Sequence, residues 1–180
     1  GTIVESPELS GRFLWDYRKT ISELIIDNYI LELRDLASTY DIQLSNEAYG
    51  HLSINIMKYA EASDFPIAEF WTVGKEIFPA YGSNRYQQNT LKAMASAAHT
   101  KGITFVGAEA FTSGRKRGDH PYILKGIGDE AFCDGINKFI LHLSAHQAYD
   151  DMIPGLTHRR WGQHFNRHNT WWEFSEAWFD

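Results

Sequence analysis

The sequence predicts an α/β fold: a parallel sheet with helices on both faces, or the same strands closed into a (β/α) barrel. Three observations carry this. Stretches with helical spacing alternate with short strand-like runs in the order α-β-α-β-α-β-α-β-α, and strands separated by helices pair in parallel. The clearest strand run, 103–109, is near-continuously apolar, as burial on both faces demands. A glutamate sits in or at the end of three of the four strand runs, at Glu47, Glu69 and Glu109.

The elements follow in order. Residues 10–37 carry Phe13, Leu14, Tyr17, Ile21, Leu24, Ile25, Tyr29 and Leu33. That spacing is close to the helical period and predicts one long helix, with Ser10 as its cap. Residues 41–47 alternate and read as a strand with a polar tip, and 51–62 read as a helix. Residues 65–71 form a short apolar run around Glu69. Ser83 or Asn84 caps a helix reaching Lys101, and Gly102 is placed to end it. The strand at 103–109 leads to a helix at 121–133 and a last strand at 136–142. No repeat, linker or low-complexity stretch divides the 180 residues, so one domain is expected over 1–180.

Composition removes several function classes. The net charge of −6 argues against a nucleic-acid partner, because phosphate binding needs clustered Lys and Arg. The short basic run Arg115, Lys116, Arg117 reads as a solvated loop. No apolar stretch approaches the ~20 residues of a membrane helix. A single cysteine, Cys133, excludes an internal disulfide and a cysteine zinc site. Aromatic residues reach 14%, and such rings serve either a core or the flat walls of a ligand site. The chain opens on Gly1 rather than Met and stops at Asp180 inside an aromatic, helix-like stretch. It therefore reads as a piece of a longer protein.

The three glutamates are the main chemical signal. Parallel strands bring their carboxyl ends to one face, where active sites form. Carboxylates flanked by Ala and Phe are costly to bury unless paired or metal-bound. Gathered together, they push their pKa values apart and supply both an acid and a base. His142 and His146, like His164 and His168, are four residues apart, but no His-Glu-x-x-His zinc motif is present. Residues 160–172, RWGQHFNRHNTWW, mix aromatic, amide and imidazole groups. This mixture suits sugars, whose apolar faces stack on rings while their hydroxyls bond amides and imidazoles.

Several of these stretches resemble one family. They are NEAYG at 46–50, AEFW at 68–71, VGAEAFTS at 106–113, His142 with AHQ at 145–147, WGQHFNR at 161–167 and TWW at 170–172. In this order they are similar to glycoside hydrolase family 106, the α-L-rhamnosidases. The resemblance runs from Val4 to the last residue, and VGAEAFTS is its strongest part.

The resemblance implies a (β/α)₈ barrel that removes terminal α-L-rhamnose from plant-type polysaccharides or glycosides with inversion, using two glutamates and a calcium ion. It implies Glu109 as general base and Glu69 as a calcium ligand, with the general acid on an earlier strand outside this chain. It points to Asn46, Glu47, His146, Trp161, His164 and Asn166 as sugar contacts. Arg159 and Arg160 depart from the small or apolar residues more usual there. A full barrel takes about 250 residues and eight strands, so four strands imply the second half of the barrel. The other half, or a second copy of the chain, is then the expected partner, and the isolated chain is expected to be inactive. The parent is expected to be exported.

Two other readings stay open. One is a carbohydrate-binding or assembly domain without chemistry, which needs aromatics and amides but not three convergent carboxylates. The other is a metal-dependent barrel enzyme such as a sugar isomerase, which needs a tighter ligand set than the sequence offers.

Overall fold

The computed structural model describes residues 4–49, 52–72, 84–113, 119–158 and 161–180. Gly50, His51, Ser83, the basic run 115–117, Arg159 and Arg160 lie outside the described residues.

Four strands form one parallel sheet in the order β1 (Ser45–Glu47), β2 (Phe65–Trp71), β3 (Gly107–Thr112), β4 (Lys138–Leu141). The helices are α1 (Pro7–Ile25), α2 (Leu31–Ser38), α3 (Ile56–Glu61), α4 (Asn84–Lys101), α5 (Pro121–Cys133) and a terminal α6 (Ser175–Phe179). The α/β alternation expected from the sequence is therefore present, consistent with part of a (β/α) barrel.

Among the described residues, helices cover one face of the sheet, not both. Along β2 burial alternates strictly: Pro66, Ala68 and Phe70 are buried, while Phe65, Ile67, Glu69 and Trp71 are half-buried. Ala68 and Phe70 join Ala108 and Ala110 of β3 in a core with Leu91, Met94, Ala97 and Ala98 of α4 and Leu124 and Ala131 of α5. The alanines let α4 pack close to the sheet. Gly128 does the same for α5, since a Cβ there would stand 3.3 Å from Phe111 and 3.4 Å from Phe139. The opposite face has no helix of this chain against it among the described residues. Its Ile140 stays 40% exposed.

The N-terminal helical stretch differs from expectation at its start and in its middle. Ser6, not Ser10, caps α1, accepting a hydrogen bond from the Leu9 amide, and Pro7 follows as a proline suited to the first turn. A π-helical segment, Ile26–Ile30, interrupts the run before α2. The buried positions are Ser22, whose hydroxyl accepts from the Asn55 amide, and Ile26 and Ile30, which meet Leu44, Ile54, Tyr59 and Ala62. Phe13, Tyr17, Leu24 and Tyr29 of the apolar stripe are exposed. Only the second half of this stretch has the β1–α3 region to pack on.

Strand β3 starts later and ends later than the apolar run implied, covering Gly107–Thr112 instead of 103–109. Residues 103–106 precede it as coil, held by Asn137, whose side chain accepts from the Val106 amide and donates to the Thr104 carbonyl.

Candidate active site

Register brings the glutamates together. Glu69 of β2 and Glu109 of β3 are direct partners across the sheet, and Glu47 of β1 pairs with Ile67, two residues below Glu69. Paired residues of parallel strands, and residues two apart, share a face. All three carboxylates thus stand on the face that the helices leave open. One oxygen from each lies within 4.8 Å of the others. No Lys or Arg forms an ion pair with any of them among the described residues. Just beyond β4, His142 brings Nδ1 to 3.9 Å from Glu109 Oε1.

The charges act on one another. Glu47 is pushed up to about 7, first by burial and then by the Glu109 charge, while a hydrogen bond from Tyr49 opposes the rise. Glu69 is pushed up to about 8 by burial, then by Glu47 and Glu109, with a hydrogen bond from Trp71 opposing. The Tyr49 hydroxyl is held in its neutral form by burial and by Glu69 and Glu47. Burial lowers His142, and Glu109 pulls the other way. Glu47 Oε1 is buried with no hydrogen-bond donor among the described residues.

A bulge completes the site. Glu69 faces Glu109, yet Trp71 faces Thr112, so β3 carries one residue more than β2 over this step. Phe111 takes a left-handed backbone, φ 66°, which is strained for a bulky residue. The extra residue sends the Phe111 ring into the core, edge-on to Phe70 and Phe139. It also returns Thr112 to the glutamate face, where its hydroxyl donates to Glu109 Oε1. Without the bulge the alternation would place Phe111 beside the carboxylates.

The residues expected to bind sugar divide into two groups. Glu47 lies in the cluster. Trp161 reaches its rim through an edge-to-face contact with Trp71, 5.4 Å between centroids. Asn46 alternates to the helix face, where its amide donates to Ser63 Oγ at 2.8 Å, so the strand does not bring it to the carboxylates. Asn166 is buried and accepts from the His168 amide, and the His164 carbonyl accepts from Asn169. These bonds shape the turn ahead of the terminal aromatic cluster. His146 is exposed in the coil after β4; the imidazole beside Glu109 is His142. Gly162 fits against that imidazole with φ 78°, and a Cβ there would come 2.8 Å from His142 Nδ1.

Thr112, Trp71, Tyr49 and His142 are site residues that were not assigned from the sequence. Thr112 and Trp71 stood inside the quoted motifs, but only the bulge shows that Thr112 faces inward.

The comparisons with known proteins agree with this geometry. The family model described as alpha-L-rhamnosidase, glycoside hydrolase family 106, matches residues 1–180. A Formosa agariphila protein named "Putative beta-glucuronidase" is 39% identical over all 180 residues, which span 14% of that protein. The solved rhamnosidase from Novosphingobium sp. PP1Y superposes with a TM-score of 0.84 at 32% identity, over 99% of this chain and 17% of that one. The chain therefore spans less than a fifth of the relatives it matches, and it belongs to glycoside hydrolase family 106.

Proposed function

We propose that this chain is part of the catalytic barrel of an inverting α-L-rhamnosidase, and that Glu109 is its general base. The observation that carries the reading is the register of Glu69 against Glu109 with Glu47 alongside, all on the open face at the carboxyl ends of parallel strands. In an inverting enzyme the acid and base carboxyls stand about 6.5–9.5 Å apart, leaving room for water. The three glutamates here approach within 4.8 Å, too close for any two to form that pair. One of them serves as base, and the acid comes from another part of the protein. Thr112 donates to Glu109 Oε1, which orients its carboxylate and singles it out, and the His142 ring lies beside it with Nδ1 3.9 Å away.

Calcium fits the remaining pair. An all-oxygen donor set, the unpaired Glu47 Oε1 and the raised Glu47 and Glu69 values are what a cation would relieve. Glu69 with Glu47 would hold the ion, which would neutralise the cluster and offer a ligand position to sugar hydroxyls. Ca²⁺ takes six to eight oxygens, more than this pair supplies. Calorimetry on the isolated 180 residues is therefore expected to show affinity weaker than micromolar. Trp161 supplies an apolar wall. The open face would be completed by the rest of the parent barrel, or by a second copy when the chain stands alone. The isolated chain is then inactive. No helix among the described residues is long and apolar enough to cross a membrane; export of the parent follows from the family reading.

Rhamnose is favoured over a uronic acid because the family model that matches is that of the α-L-rhamnosidases, and among the described residues no Lys or Arg stands paired with the glutamates to receive a uronate. The test is hydrolysis by the complete protein of aryl α-L-rhamnoside against aryl β-D-glucuronide, with the first-formed anomer read by proton NMR. Cleavage of the rhamnoside with β-L-rhamnose appearing first is expected. Preference for the glucuronide, or α-L-rhamnose appearing first, would overturn the reading.

A further inference from the structure

Asp119 takes no part in the cluster, yet it is 5% exposed and lies between three chain segments. Its Oδ2 accepts from Thr72 Oγ1 at 2.6 Å, from Gln163 Nε2 at 2.6 Å and from Ser113 Oγ at 3.3 Å. Thr72 directly follows β2, three residues after Glu69, and Ser113 directly follows β3, four residues after Glu109. Gln163 belongs to the segment that begins with Trp161. All three donors are neutral, and Asp119 forms no ion pair among the described residues. A buried carboxylate is costly without donors, and bonds to a charged acceptor are about twice as strong as neutral ones.

Main-chain bonds extend this node. The Thr72 amide donates to the Thr112 carbonyl at 2.9 Å, and the Gly162 amide to the Ser113 carbonyl at 2.9 Å. The Gln163 amide donates to the His142 carbonyl at 2.9 Å, and the Leu143 amide to the Gln163 carbonyl at 3.0 Å. Gln163 is 1% exposed, and its amide orientation is set by Asp119, because the flipped amide would turn oxygen against oxygen. Segment 161–165 is thereby laced between the end of β3 and the end of β4. Trp161 is held against Trp71, and Gly162 against the His142 ring.

We propose that Asp119 is a positioning residue: through Gln163 it fixes the loop that carries Trp161 over the glutamate face, while it clamps the ends of β2 and β3 that carry Glu69 and Glu109. Among the described residues Asp119 forms hydrogen bonds with Thr72, Ser113 and Gln163 and none with the three glutamates.

The experiment follows the Trp71–Trp161 pair directly. The difference between the far-UV circular dichroism of the complete protein and of Trp161→Phe isolates the exciton signal of this pair, since other tryptophans cancel. Asp119→Ala and Gln163→Met are each expected to lose most of that signal, and to change little when added to Trp161→Phe. Asp119→Asn keeps an oxygen for the three donors and is expected to retain most of it. Full signal in Gln163→Met would overturn the proposal, as would equal loss in Asp119→Asn and Asp119→Ala. If Asp119→Ala does not fold, Gln163→Met decides alone. A kinetic arm rests on the sugar-site reading. There Asp119→Ala and Gln163→Met should raise KM for aryl α-L-rhamnoside about tenfold, since misplacing a distant positioning group costs on that scale, with Asp119→Asn near wild type. Loss of the exciton signal with KM unchanged would support the positioning role and count against the sugar site.

Discussion

The two faces of the sheet are made from the same strands and follow opposite rules. The helix face is closed within the chain. Ala68, Ala108 and Ala110 are fully buried there, and Phe70 and Phe111 nearly so. The glutamate face carries three carboxylates at the carboxyl end of the strands. At the amino end, Lys138 lies 5.1 Å from the Phe65 ring and 4.9 Å from the Phe105 ring. A residue and its neighbour on one strand thus belong to different environments. One side is packed by this chain's own helices, and the other carries carboxylates with no Lys or Arg ion pair among the described residues. Apolar packing is a local solution, available wherever an amphipathic helix follows a strand, whereas a catalytic face draws on distant parts of a barrel.

The largest expected effect is on the open face. Glu109→Gln in the complete protein should lower kcat on aryl α-L-rhamnoside by about 10²–10⁴-fold, the usual worth of a general base. Near-UV circular dichroism should be unchanged. Near-normal turnover would remove Glu109 from the role and leave the open face without an assigned base.

Packing should separate the faces next. Leu124 is fully buried on the helix face, whereas Ile140 is 40% exposed on the other. Leu124→Ala should cost about 2–5 kcal/mol in denaturant unfolding of the chain, as buried leucines do. Ile140→Ala should cost about 1–2 kcal/mol, because only part of its transfer energy is realised. Equal costs would mean that the open face is covered when the chain stands alone, as in a dimer.

The pH dependence is a smaller and sharper contrast. Glu47 and Glu69 keep their protons to about 7 and about 8 in the folded chain, against an unfolded value near 4.5. Between these limits the folded state binds more protons than the unfolded one. Stability therefore falls as pH rises from about 4.5 to about 8, and levels off above. Both groups are partly solvated, so the slope is modest. Glu69→Gln should flatten it, and thermal unfolding in chelator across this range measures it. A rise in stability over the same interval would contradict the cluster.

Much of this contrast was legible in the sequence, and the illegible part has a physical cause. Residues 65–71 and 121–133 form the elements their patterns imply, β2 and α5, because each segment's periodicity matches its burial. The convergence of Glu47, Glu69 and Glu109 also followed, since parallel strands of similar length place corresponding residues at one end. The bulge at Phe111 did not. A single extra residue leaves no mark in an apolar run, yet it reverses which of Phe111 and Thr112 faces the site. Asn46 was misplaced because adjacent strand residues point to opposite faces, so a motif read as a block mixes pocket and core. The exposed stripe on α1 marks another limit: periodicity shows that a helix has an apolar face, not whether this chain supplies something to cover it. His142 rather than His146 neighbours Glu109 because it stands two residues beyond Ile140, the strand partner of Glu109, so the pairing of β3 with β4 carries it to the same face.

The claim that the three glutamates form one charge cluster is tested most directly by carboxyl carbon-13 NMR of the chain in chelator, titrated through pH 4.5–9 with and without Glu109→Gln. Glu69 and Glu47 are expected to titrate near 8 and near 7, and both should move toward ordinary carboxyl values when Glu109 is neutral. Titration of both near 4.5, with no response to Glu109→Gln, would contradict the cluster.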